Sequence, residues 1–145
     1  MQVVIGWGLV LAGGALYLAQ VISSVNFGLA QRLGIQEKPD ATSPLLQRSE
    51  RYTAYWDLVS LAWLPLSGVL MIIDHKSWPI VALIGGAIYL DTSGREAAKY
   101  ISLRHEGVKM GTEKQQRIFF STYMVMAVIA IVLIGYSFSS LLLRL

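Results

Sequence analysis

Asp57 and Asp91 stand inside or at the margin of long apolar runs. An ionisable side chain there is costly and needs a partner or water, so intramembrane carboxylates are the first place to look for chemistry. Asp91 has Arg95 one helical turn on, at i+4, and that spacing favours a salt bridge within one helix. Asp57 has Thr53, Ala54, Ser60 and Leu61 at the corresponding offsets and so no cation on its own helix. Its partner must come from another element, and Arg32, Arg95, Lys99 and Arg117 are expected at a similar depth. Gln20, Ser23, Ser24, Ser60, Thr92, Ser93, Ser121 and Thr122 fall into the same layer. Asn26, Asp57, Asp91, Arg95, Glu96 and Tyr123 are therefore the candidate polar layer or ligand site. Facing inward together, these groups would line a polar pocket open to the cytoplasm. The alternative is structural: hydroxyls bond to carbonyls of their own helices, Asn26 fastens the first helix to a neighbour, and the layer sets helix register.

Other chemistries find little footing. The chain has no cysteine, which excludes disulfides and thiolate chemistry. His75 and His105 lie at opposite ends of one helical run, ~45 Å apart at ~1.5 Å per residue, and cannot share a haem iron. No His-Glu-x-x-His, phosphate-binding glycine loop or Ser/His/Asp set at one depth occurs. No metal, cofactor or catalytic residue is expected.

Four helical segments must position the polar layer, at about 3–33, 44–73, 79–106 and 113–142. The first carries no charge before Arg32, and its ~30 residues rise ~45 Å against ~30 Å of hydrocarbon, so it must tilt or protrude. It is also too long for a cleaved signal peptide and lacks a basic leader, which marks it as a retained helix. Gly8, Ala12, Ala15, Ala19 and Ser23 recur at spacings of three and four and are expected to form its packing face. Gly34 can end this helix. Ser43 followed by Pro44 starts the second, and Pro65 should kink it by removing a donor to the Leu61 carbonyl. A short connection after Asp74 makes the second and third helices an antiparallel hairpin. Gly107 stops the third helix, and Thr112 with Gln115 forms a capping box for the fourth.

Of 145 residues, 54% are hydrophobic and 14% charged, a balance outside the range of ordinary soluble domains. The fold expected is all-α: a polytopic membrane protein built as one antiparallel four-transmembrane-helix bundle. The net charge of +3 comes from basic residues flanking apolar runs, so nucleic acid is not an expected partner. Arg32, Lys38, Arg48, Arg51, Arg95, Lys99, Arg104, Lys109, Lys114 and Arg117 fall on one side, against Lys76 and Arg144 on the other. That asymmetry puts the long loops in the cytoplasm and both termini outside it, in a bacterial inner membrane by the economy of the topology.

Three functions follow as expectations. The foremost is a non-enzymatic accessory or self-assembling bundle, using the small-residue stripe to meet a second copy or another membrane protein. The second is a small transporter or channel with Asp57 as its coupling carboxylate. The third is an enzyme acting on lipid at the cytoplasmic face, where the basic loops could hold anionic headgroups of membrane lipids.

Overall fold

The computed structural model describes residues 1–143; Arg144, counted with Lys76 above, lies outside them. The described chain is all-α, in the order α1 (Gln2–Val25), α2 (Phe27–Arg32), α3 (Pro44–Ser60), α4 (Trp63–Ile72), α5 (Trp78–His105) and α6 (Glu113–Leu142). Three segments are long and apolar enough to cross a membrane: Gln2–Val25, Pro44–Ile72, which joins α3 to α4, and Glu113–Leu142. Their length and composition are consistent with a multi-pass membrane protein. The segment α5 is not among them, because its apolar half ends at Leu90 and Asp91, Arg95, Glu96 and Lys99 follow.

Two of the long helical runs are interrupted. In the first, the Ser23 and Ser24 hydroxyls donate to the carbonyls of Ala19 and Val21, each at 2.9 Å. Such back-bonding competes with the helix ladder. Asn26 then leaves helical geometry (φ −143°, ψ 83°), and its Oδ1 accepts the Leu29 N–H at 2.9 Å to cap α2. Its side chain thus serves a local break in the chain; it does not fasten α1 to a neighbour.

In the second run, Pro65 leaves the Leu61 carbonyl without its i+4 amide. The buried Tyr89 hydroxyl of α5 donates to that carbonyl at 3.2 Å. A backbone acceptor freed by proline is thereby satisfied from a neighbouring helix, as a non-aqueous surrounding demands. The interruption falls at Leu61 and Ala62, between α3 and α4.

Other helix ends are settled locally. Ser43 Oγ accepts the Leu46 N–H at 3.2 Å with Pro44 at the first helical position. Thr112 and Gln115 form a reciprocal capping box. Gly34 (φ +75°) and Gly107 (φ +67°) take the left-handed conformation just past α2 and α5. The two basic loops are tied together, with Ser43 N–H donating to the Lys109 carbonyl at 3.0 Å and Gly111 N–H to that of Ala41 at 2.9 Å. At the opposite end, Gln2 Nε2 donates to Asp74 Oδ1 and to the Met71 carbonyl, each at 2.9 Å.

Helix α5 is central, packing against α4 and α6, while α1 packs against α3 and α4. Apolar surface gains little from leaving lipid for protein, so close backbone approach and van der Waals contact hold such helices together. Glycines provide the approach. A Cβ on Gly6 would lie 2.8 Å from the Gly68 carbonyl oxygen, and one on Gly68 only 2.5 Å from that of Gly6. Gly85 faces Trp63 and Ser67 of α4, and Gly86 faces Ala130 and Ile134 of α6. Trp78 stacks on Tyr136 at 5.5 Å, closing the end of the α5/α6 pair away from the basic loops.

The packing face of α1 is consequently Gly6, Leu9 and Gly13, with Ser23 buried further along. Gly8, Ala12 and Ala15, expected on that face, are exposed, and Ala19 is half-buried. Gly8 and Ala12 border an apolar groove between α1 and α6, and Ala15 borders a second groove continuous with it. Helix α1 is apolar on every side, so its own composition does not choose a face. The choice falls to the partner, which offers a matching gap at Gly68 and Pro65.

Candidate functional site

The polar turn after α2 folds back against the bundle and brings two buried side chains with it, Gln36 and Glu37. Gln36 Nε2 donates to Ser23 Oγ at 3.2 Å. Gln31 Nε2 donates to the Glu37 carbonyl at 2.8 Å, anchoring the turn to α2. The Tyr100 hydroxyl of α5 donates to the Glu37 carboxylate.

Helix α3 contributes Glu50, Thr53 and Asp57, which at spacings of three, four and seven share one face. Helix α5 contributes Thr92, Glu96 and Tyr100 at spacings of four. From α6 come Phe119, Thr122 and Tyr123, and from α1 comes Gln20. Together they enclose a chamber of about 240 Å³.

Four carboxylates converge here, from Glu37, Glu50, Asp57 and Glu96. One ammonium serves two of them: Lys99 Nζ lies 2.7 Å from Glu50 Oε1 and also pairs with Glu96. It also lies 5.8 Å from the centre of the Tyr100 ring. Glu37 and Asp57 have no ion pair among the described residues. Each accepts one side-chain hydroxyl, Glu37 from Tyr100 and Asp57 from Ser60 at 3.3 Å. Both carboxylate-bearing residues are nearly inaccessible, at 3% and 5% exposure, a placement that is expensive for an uncompensated negative charge. The Gln20 side-chain carbonyl on the same wall is buried with no hydrogen-bond partner among the described residues. An aromatic flank completes the chamber, with Tyr100 6.0 Å from Tyr123 and 6.2 Å from Phe119 between ring centres. The C-terminal end of α3, where the helix dipole is negative, also reaches the wall at Leu61.

Asp57, Glu96 and Tyr123 of the expected layer line this chamber, whereas Asn26, Asp91 and Arg95 do not. Asn26 caps α2. Arg95 and Asp91 pair with each other at 3.2 Å on the surface, with side chains 52% and 70% exposed. Asp57 therefore meets Ser60 and no arginine. Glu37, Glu50 and Tyr100 of the chamber wall are not among the residues expected in the polar layer, and Lys99 is expected there as a partner for Asp57 and in the basic loops as a contact for lipid headgroups. The seven-residue interval from Glu50 to Asp57 and the grouping of Glu96, Lys99 and Tyr100 on one face of α5 were readable signals. Glu37 carried none, because its position depends on the path of a turn.

Among the described residues no three His, Cys, Asp or Glu side chains are grouped to hold a metal ion. His75 lies in the turn between α4 and α5, with Nδ1 2.7 Å from Ser77 Oγ, and His105 ends α5. No protein-family model, curated protein or solved structure matches this chain. The chamber is accordingly read from its own chemistry.

Proposed function

We propose that this protein is a small membrane transporter that takes a small organic cation into the acidic chamber, with Asp57 as its principal binding carboxylate. The observation that carries this reading is the imbalance of charge: four converging carboxylates, one lysine, and two buried carboxylates without a cation. An ammonium group would supply the missing charge to Asp57 and Glu37, donate to the unpartnered Gln20 carbonyl, and lie against the Tyr100 and Tyr123 rings. A volume of about 240 Å³ suits a small amine. The break between α3 and α4 lies beside the chamber at Leu61, and discontinuous helices next to the binding site are a recurrent feature of transporters.

In this reading α5 is the fourth crossing of an antiparallel four-helix bundle, with Thr92, Ser93, Glu96 and Tyr100 buried and the Asp91 and Arg95 charges paired with each other on its surface. Both termini lie outside the cytoplasm of a bacterial inner membrane, an orientation supported by the Lys and Arg asymmetry between the loops. The chamber then opens nearest the cytoplasmic side.

The test is equilibrium binding of labelled methylammonium to the purified protein, followed by uptake into proteoliposomes. Asp57→Asn should weaken binding at least ~10-fold, the scale of one lost charge-assisted contact, and Asp91→Asn should leave it unchanged. Absence of binding by the unmodified protein, or equal effects of both substitutions, would overturn the proposal.

An accessory or self-assembling role is favoured by a separate observation, the uncovered small residues Gly8, Ala12 and Ala15 of α1. It requires a discrete oligomer or a stoichiometric membrane partner in mild detergent, and a monomer without one would count against it.

A further inference from the structure

The grooves between α1 and α6 follow from a mismatch in packing. Both helices belong to the bundle, yet they do not pack closely on each other, because α1 turns its Gly6 and Gly13 face to α4 and α6 turns Ala130 to α5. The larger groove holds about 520 Å³ and is lined by the small face of α1 at Ala12 and Ala15 and by Val125 and Ile129 of α6. A wall of Leu16, Ile118, Thr122 and Met126 divides it from the acidic chamber.

One charged side chain lines this mainly apolar groove, Arg117, at the end nearer the basic loops, with Ser121 and Thr122 the other polar residues of its lining. Beyond Arg117 the surface continues into a shallow mouth that adds Lys114 and Glu113. Neither Arg117 nor Lys114 forms an ion pair among the described residues, and Glu113 is the single carboxylate at the mouth.

Depth identifies what fits. From Arg117 to Ile129, α6 rises ~18 Å, close to the ~15 Å of one leaflet. From Arg117 to Tyr136 it rises ~29 Å, close to the full ~30 Å of hydrocarbon. Arg117 therefore lies at headgroup level when Tyr136 lies at the opposite interface. A groove one acyl chain deep, closed by two unpaired cations at phosphate level, complements an anionic phospholipid. A packed transmembrane helix would place apolar surface against those same cations and leave them unmatched.

We propose that an anionic phospholipid occupies this site, in the leaflet on the side of the basic loops. Its phosphate sits against Arg117 and Lys114, and one acyl chain lies in the groove over Ala12 and Ala15. The exposed small residues of α1 thus shape a lipid seat, independently of what the acidic chamber holds.

Native mass spectrometry of the full chain in mild detergent, with phosphatidylglycerol and phosphatidylcholine of identical acyl chains, tests the proposal. The unmodified protein should retain phosphatidylglycerol in clear preference, and Arg117→Gln should reduce that preference about fivefold. Lys109→Gln, a charge removed outside the groove, should leave it unchanged. Ala15→Phe, which fills the groove, should lower retention of both lipids while helicity is preserved. Equal retention of the two lipids by the unmodified protein, or an unaltered preference in Arg117→Gln, would overturn the proposal. So would a lipid-free dimer that Ala15→Phe dissociates, since that result would place a second copy in the groove.

Discussion

Replacing Lys99 with methionine should be among the most destabilising single changes in this protein. Its ammonium lies between Glu50 and Glu96, whose side chains are only 12% and 11% exposed. Methionine preserves much of the stem and removes the charge, leaving two carboxylates without a counterion in a confined space. Breaking a buried pair from one side costs ~3–5 kcal/mol. The Lys99 side chain retains 25% exposure, so water offsets part of the loss and the lower end applies, about 3 kcal/mol. That is roughly two decades in the folding equilibrium constant. Reversible unfolding in mixed micelles titrated with dodecyl sulfate, followed by circular dichroism, measures the difference. Adding Glu50→Gln and Glu96→Gln to Lys99→Met should recover most of the stability, because the cost belongs to unpaired charge and not to lost packing. A Lys99→Met protein within ~0.5 kcal/mol of the parent would refute the reasoning, showing that solvent already screens the carboxylates as it does for surface pairs.

Two further substitutions probe how the helices are held. Tyr89→Phe removes the donor to the Leu61 carbonyl and should cost ~1–3 kcal/mol in the same unfolding assay. In a Pro65→Ala background, where a backbone amide can reach that carbonyl, the cost should shrink; an unchanged cost would mean that the hydroxyl acts elsewhere. Gly68→Ala puts a Cβ 2.5 Å from the Gly6 carbonyl oxygen and 2.9 Å from the Val10 nitrogen, so α1 and α4 must separate, at a cost of ~1–3 kcal/mol. Gly14→Ala, with no atom within 4 Å of the new methyl, should be neutral or stabilise by up to ~1 kcal/mol. Similar losses in both glycine variants would refute the reasoning, because alanine favours the helix at either site and a shared loss could not come from the α1/α4 approach.

Three apolar helices long enough to cross a membrane and several helix ends were legible in the sequence, because composition and local interactions decide them. Ser43 with Pro44, Thr112 with Gln115, and the glycines at 34 and 107 act within a few residues of themselves. The Asp91 and Arg95 pair is equally local, one turn apart on one helix. Pro65 announced an interruption for the same reason, although its rescue by Tyr89 depends on a second helix.

Tertiary structure decided the rest. A uniformly apolar helix presents several plausible stripes, and only the complementary gap at Gly68 and Pro65 selects Gly6 and Gly13 over Gly8, Ala12 and Ala15. Glu37 enters the chamber because the turn after α2 folds back and Tyr100 of α5 receives it. The pairing of Glu50 with Lys99 likewise joins α3 to α5. Such encounters depend on how the helices pack together, which no local pattern along the chain records, whereas caps, glycine stops and i+4 pairs are complete within a turn or two of a single helix.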